Sequence, residues 1–246
     1  MRLTVSSLAI ALLMPFASLA DWRGDFDADC AMLLTPPVDT WVKIPNLIAQ
    51  WTMNDNAANT TVANAKNTYY NGTAARNTSG MSVAGKINTA LSFTNKSDFV
   101  QFNTLTNVST LMSYSMWLYP TNLSSSIVPM GGSYYLLYLN VGGNYIFCHN
   151  GLAAQVSWAT DIKADKWTHV ALTQNGTTMT LYTNGITCGN QTLTSGGQKP
   201  VYIGRTTASG TIGWAGYIDD VRIYNNCISS QEVVQLYNAG NGTERE

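Results

Sequence analysis

From residue 47 onward, apolar and polar positions alternate in short runs broken by Gly, Asn, Ser and Thr. In YSMWLYP (114–120), Tyr114, Met116 and Leu118 fall on one face and Ser115, Trp117 and Tyr119 on the other. That period of two predicts a half-buried strand. LIAQWTM (47–53), ALSF (90–93), DFVQF (98–102), PVYIG (200–204) and GYIDDVRIYN (216–225) read as further strands. YYLLYLNV (134–141) and YIFCHN (145–150) flank Gly142-Gly143-Asn144, a hairpin signal. WTHVALT (167–173) and TMTLYTN (178–184) flank Asn175-Gly176, a dipeptide that supplies the positive φ angles of a tight hairpin.

One helix is predicted. Ser229-Ser230-Gln231-Glu232 is a capping box, in which the Ser229 hydroxyl and the Glu232 carboxylate each satisfy a backbone N–H of the other. Val233, Leu236 and Tyr237 give it an apolar face, and Gly240 suits its end. The pattern therefore predicts an all-β chain of two stacked antiparallel sheets with one short C-terminal helix.

The N-terminus breaks the pattern. Arg2, an apolar stretch over 3–16 and the small residues of Ser18-Leu19-Ala20 read as a signal peptide over 1–20. No later apolar run is long enough to span a bilayer, so the expectation is a secreted or otherwise extracytoplasmic protein with no membrane span when mature. Residues 21–46, with Pro36, Pro37 and Pro45, read as an N-terminal arm or linker, and 240–246 as a polar tail.

Composition narrows the function classes. Only 11% of the 246 residues are charged and the net charge is −1, so no basic face exists to neutralise phosphates and nucleic acid is excluded as a partner. Four cysteines, Cys30, Cys148, Cys188 and Cys227, fit an oxidising compartment and match no zinc spacing. They allow three connectivities as two disulfides.

In LIAQWTMND (47–55), AGKINTALSFTNKSDFVQF (84–102), YSMWLYPT (114–121), KWTHVALTQNGTTMTLYTNG (166–185) and GYIDDVRIYNNCISSQEVVQLYN (216–238), the chain resembles the laminin-G-like, concanavalin-A-like jelly-roll family. The segments run in the family's order and cover nearly all of a domain drawn at 47–239. The resemblance implies a jelly roll whose first and last strands lie together. It thereby implies a Cys30–Cys227 disulfide, with Cys148–Cys188 as the accompanying pair. It also makes Asp55 with Asp219, helped by an oxygen of Asn71, the candidate calcium set, since Ca²⁺ takes six to eight oxygens. Asn54 and Asn64 depart from the acidic residues that the family often has there.

The fold also hosts glycan-cleaving enzymes, so the residue inventory has to decide. Glycoside hydrolysis needs two carboxyl groups facing each other across the sugar bond. The chain has three Glu, at 232, 244 and 246, one in the cap and two in the tail. Asp219 and Asp220 are strand neighbours, whose side chains point to opposite faces unless a bulge intervenes. No catalytic residue is assigned.

For ligand binding, Trp158 and Trp214 lie in polar, Gly- or Ala-rich surroundings and are the aromatics expected at the surface. Arg205 in IGRTTASG is a further candidate contact. The expectation is a non-enzymatic, lectin-like module that binds a glycan or a glycosylated surface. The alternative is an adhesive module that binds an extracellular protein.

Overall fold

The computed structural model describes residues 41–246 apart from 95–96, 106–109, 126, 133–134, 151–153, 194–198 and 207–211. The expected signal peptide, most of the N-terminal arm and Cys30 lie outside the described residues. Residues Lys43–Glu246 form one compact unit. The strands in chain order are β1 (Leu47–Trp51), β2 (Thr61–Val62), β3 (Gly72–Ala74), β4 (Ser82–Ala84), β5 (Thr89–Phe93) and β6 (Val100–Gln101). They continue with β7 (Leu111–Pro120), β8 (Ile127–Gly131), β9 (Tyr135–Leu139), β10 (Tyr145–Asn150) and β11 (Ala154–Ala159). The last are β12 (Thr168–Asn175), β13 (Thr178–Thr183), β14 (Ile186–Thr192), β15 (Tyr202–Ile203) and β16 (Gly216–Tyr224), followed by helix α1 (Ser230–Tyr237).

They build two antiparallel sheets, as the alternation predicts. Sheet 1 runs β14-β13-β12-β7-β16-β5-β4, with β1 also on β16; sheet 2 runs β11-β10-β9-β8-β15-β6-β3-β2. The core lies between them. Trp51, Leu91, Met116, Leu118, Leu172 and Ile218 of sheet 1 meet Leu137, Ile146, Trp158 and Ile203 of sheet 2. Tyr114, Met116 and Leu118 all point inward, so the other face of β7 carries Ser115, Trp117 and Tyr119.

The strand β16 changes neighbours halfway along. Gly216–Ile218 pair with β5, whereas Val221–Tyr224 pair with β1. At the changeover the register against β7 slips between Asp219 and Arg222, and Asp220 takes a φ of 42°. This is a bulge, in which one residue in an αL-type conformation re-aims its neighbours. The adjacent carboxylates are thus separated. Asp219 reaches the turn before β5, where its Oδ2 accepts from Lys86 N and Ile87 N, both at 2.8 Å. Asp220 reaches β1, where Gln50 Nε2 donates to it at 2.9 Å. They brace the two strands that β16 joins.

Two turn details refine the sequence reading. Asn175 still pairs with Thr178, so the β12–β13 loop is Gly176-Thr177, and only Gly176 has a positive φ, 62°. Helix α1 has its capping box at Ser229 and Glu232 but ends at Asn238, which takes the αL conformation in place of Gly240. Among the described residues no helix is long and apolar enough to cross a membrane.

Gly216 opens β16 at φ 139°, and a Cβ there would lie 2.0 Å from the Tyr119 carbonyl oxygen. Gly216→Ala must therefore part β7 from β16. The expected loss is about 2–3 kcal/mol in denaturant unfolding; an unchanged midpoint would mean the two strands approach less closely.

Candidate functional site

The outer face of sheet 1 carries side chains that the core does not use. Alternation sends Trp117 and Tyr119 outward from β7. On β12, Val170 and Leu172 point into the core, so His169 points out. On β16, Ile218 points in and Tyr217 out. Pairing then aligns these residues across three strands, with His169 opposite Trp117 and Trp117 opposite Asp219, and with Tyr119 opposite Tyr217. Trp167, just before β12, comes beside Tyr119.

The result is a partly exposed aromatic cluster. The rings of Tyr119 and Tyr217 stack at 5.0 Å with planes 14° apart. Trp167 leans on Tyr119 at 5.4 Å and lies 6.4 Å from Tyr217. Exposed Asp165 and Lys166 immediately precede Trp167, and Asp161 and Lys163 form an exposed ion pair just before them. The Asp165 N–H donates to the Pro120 carbonyl at 2.8 Å, which fixes this charged loop at the end of β7. Chemically the cluster offers apolar ring faces with phenol and indole polar groups at their edges, set among charged side chains.

Two residues further along each strand, the same face is covered. His169, Trp117 and Asp219 are 1%, 2% and 0% exposed. Tyr237 of α1 lies over two of them, 5.8 Å from Trp117 and 6.2 Å from His169, and Lys86 Nζ sits 5.1 Å from the Trp117 ring. His169 Nε2 shares a 2.8 Å hydrogen bond with Ser115 Oγ. Burial, with Arg222 nearby, pushes the His169 pKa down to about 3, so the ring is neutral. Burial pushes Asp219 up to about 8, against the two N–H bonds it accepts, and the neighbouring Asp220 adds to the rise.

The C-terminal residues complete the cover. Buried Arg222 donates from Nε to both Asp220 oxygens at 2.9 and 3.0 Å. Its other nitrogens donate to the carbonyls of Thr243 and of Arg245. The Glu244 carboxylate accepts from Asn54 Nδ2 at 2.7 Å and from Asn88 Nδ2 at 3.0 Å, and Glu246 pairs with Lys66 at 2.8 Å. Residues 242–246, a polar tail by sequence, are thus bound along β1 and β16.

The residues singled out by sequence are placed elsewhere. Trp158 and Trp214 are 2% and 1% exposed, which corrects the expectation that they lie at the surface. Trp158 points inward from β11, and its indole N–H reaches across to the Gly189 carbonyl of β14 at 2.9 Å. Trp214 packs in the core and donates to the Tyr217 carbonyl at 3.3 Å. Arg205 is 8% exposed, its guanidinium 4.4 Å from the Phe99 ring and 5.5 Å from that of Tyr202. It belongs to sheet 2 rather than to the aromatic cluster.

For the candidate calcium set, Asp55 Oδ1 accepts from Ala63 N and Asn71 Oδ1 from Asn64 N, each at 2.9 Å. Asp219 serves the 86–87 turn instead. The first two anchor one segment and the third another. Among the described residues no three His, Cys, Asp or Glu side chains gather into an ion-binding group. Cys188 and Cys227 are half-buried free thiols; the proposed partner Cys30 and the side chain of Cys148 lie outside the described residues.

The sequence reading missed Trp167, Tyr119 and Tyr217 as a group. A signal for Tyr119 was present, because the alternation in YSMWLYP already put Trp117 and Tyr119 on the non-core face. What was missing was the register that sets Tyr217 and Trp167 beside it.

A sequence profile described as the concanavalin A-like lectin/glucanases superfamily matches residues 93–234. Among solved structures, domain 4 of AbnA, a GH43 extracellular arabinanase from Geobacillus stearothermophilus, in complex with arabinotriose, is similar with a TM-score of 0.61. The identity is 18%, covering 77% of this chain and 97% of that domain. Trypanosoma rangeli sialidase in complex with sialic acid is similar with a TM-score of 0.60 at 15% identity, covering 82% of this chain and 35% of the sialidase. The chain thus spans about a third of that enzyme's length. No curated protein sequence matches. At such identities the likeness is one of fold, and the fold is the sandwich described above. Since the profile covers more than half of its residues, the chain belongs to the concanavalin A-like lectin/glucanases superfamily.

Proposed function

We propose that this protein is an exported, non-enzymatic carbohydrate-binding module that seats its glycan on the cluster of Tyr119, Trp167 and Tyr217. The observation that carries the reading is the cluster itself: three aromatic rings, partly exposed on a sheet face, beside charged side chains able to bond hydroxyls. Large apolar rings left at a surface need a reason, and a ligand with apolar ring faces and polar rims supplies one. The arabinotriose complex of a domain that aligns over almost its whole length supports the same reading.

The placement of the three Glu and of the Asp219–Asp220 pair supports a role without bond cleavage. Glu232 caps α1, Glu244 is held by two Asn amides, and Glu246 pairs with Lys66. Asp219 and Asp220 are buried braces aimed at different strands. A structural calcium ion remains part of this reading, and the chelator arm of the test below addresses it.

The test is a panel of neutral and acidic oligosaccharides, probed with and without a chelator. At least one member is expected to bind. Tyr217→Ala and Trp167→Ala should each weaken it by about tenfold or more, the usual consequence of truncating an aromatic anchor. Binding that ignores both substitutions would remove the site. Absence of binding across the panel would favour a protein partner, and release of reducing ends would establish an enzyme.

A further inference from the structure

We propose that residues 242–246 are an exchangeable arm: the seat they occupy along β1 and β16 also takes the same segment of a second copy of this chain, so that two copies trade arms in a reciprocal dimer. The exchange is independent of the glycan site.

The seat reads a peptide. Gln50 and Arg222, 0% and 1% exposed, lie beneath the arm and donate to its main chain. Gln50 Nε2 reaches the Glu244 carbonyl at 3.3 Å, and Arg222 reaches the carbonyls of Thr243 and Arg245 on either side. Bonds to successive carbonyls fix the path of a segment whatever its side chains. Side-chain contacts then set its sequence. The Glu244 carboxylate lies between the amides of Asn54 and Asn88, and Glu246 meets Lys66. Gly242 has a φ of 71°, and a Cβ there would come within 2.9 Å of the Ile87 and Trp117 side chains. The seat thus selects Gly-x-Glu-x-Glu.

These contacts do not depend on which copy supplies the arm. Gln50, Asn54, Lys66, Asn88 and Arg222 are remote from it in sequence and meet it only through the fold. Two bonds tie the arm to its own connection, from Gly242 N to the Tyr237 carbonyl at 3.1 Å and from Asn238 Nδ2 to the Gly242 carbonyl at 2.7 Å. The arm, GTERE, contains no large apolar side chain, so it leaves its seat by exchanging hydrogen bonds for water. Helix α1 is fastened by buried Val233 and Leu236 and stays in place.

The connection between α1 and the arm is short and strained. Asn238, Ala239 and Gly240 take φ values of 48°, 50° and 88°. Asn and Gly accept this left-handed region, but Ala239 has a Cβ and no polar side chain to compensate. A short connection under strain invites exchange of the segment beyond it. In the reciprocal dimer each seat is filled by the same residues as before, and the connection is free to straighten. Residues 238–241 then span about 14 Å, which sets how closely the second copy must sit.

The experiment mixes isotope-labelled and unlabelled intact chains near millimolar concentration and examines them by native mass spectrometry. Dimers of intermediate mass are expected. Glu244→Ala in both copies removes the arm's carboxylate anchor and should weaken them about tenfold or more. A chain lacking Ala239 and Gly240 keeps arm and seat but cannot return the arm to its own seat, so it should sediment as a dimer at micromolar concentration. Intact chains that stay monomeric overturn the proposal, whether or not the shortened chain folds. A shortened chain that is folded by circular dichroism yet monomeric overturns it too. Dimers that ignore Glu244→Ala use another surface and do the same.

Discussion

Replacing Arg222 with methionine is expected to lower the stability of the domain by about 3–5 kcal/mol, because it strands a buried carboxylate. Arg222 is 1% exposed and Asp220 3%. Burial works against the guanidinium charge, but the Asp220 carboxylate and the Tyr224 phenol together outweigh it and hold Arg222 above its ordinary pKa, while burial pushes the Asp220 carboxyl up and Arg222 works against that rise. Methionine fills similar space and offers no donor. Asp220 would then keep only the 2.9 Å bond from Gln50, and the carbonyls of Thr243 and Arg245 would lose theirs. Asp220→Asn combined with Arg222→Met removes the stranded charge and should recover part of the loss, a coupling that a double-mutant cycle isolates. Denaturant unfolding of the four proteins measures it. A loss below about 1 kcal/mol for Arg222→Met would show that water reaches the pair and that it behaves like a surface bridge.

The parts of this architecture that local sequence determines were legible. Alternation in β7 separated Met116 and Leu118 from Trp117 and Tyr119, and the Ser229–Glu232 box located α1. The β12–β13 hairpin followed from its Asn-Gly pair. Short strands such as β2, β3 and β15, with two or three residues each, carry too few positions for a period to show. Trp158 was misread as exposed because its neighbours are polar or Ala-rich. Pairing with β10 makes the segment a strand and turns the indole inward. The Asp219–Asp220 bulge has no glycine to announce it, so the changeover of β16 from β5 to β1 appears only in the register. The candidate site is a still longer-range object. It joins side chains from β7 and β16 with Trp167 just before β12, and no single stretch of the chain contains it.

The two titrating members of the covered row give opposite dependences on pH. His169 has a folded pKa of about 3 against an ordinary 6.5. Between those values the unfolded chain binds a proton that the folded one refuses, so stability falls as the pH drops from about 6.5 toward 3. The slope contributed approaches about 1.4 kcal/mol per pH unit within the window. Asp219 acts the other way. Its folded pKa near 8 exceeds the ordinary 3.8, so the folded state holds the extra proton and its contribution is fully present below about 4 and lost as the pH rises toward 8. The windows overlap between about 4 and 6.5, where these two slopes oppose each other; Asp55 and Asp220, both pushed up by burial, add to the Asp219 side. His169→Gln keeps a hydrogen-bonding group near Ser115 and removes one titration. It should be less stable at pH 7, because glutamine lacks the ring that packs on Trp117 and Tyr237. Its stability should rise as the pH falls from 7 to 5, with Asp219 no longer opposed. Asp98, held below the ordinary carboxylate range by Arg76 and Thr94 despite its burial, adds a loss only at more acid pH, below about 4. Denaturant midpoints at intervals from pH 4 to 8 distinguish the two proteins. Parallel curves would mean that His169 takes up its proton in the folded state, and that the row beneath the C-terminal segment is open to water.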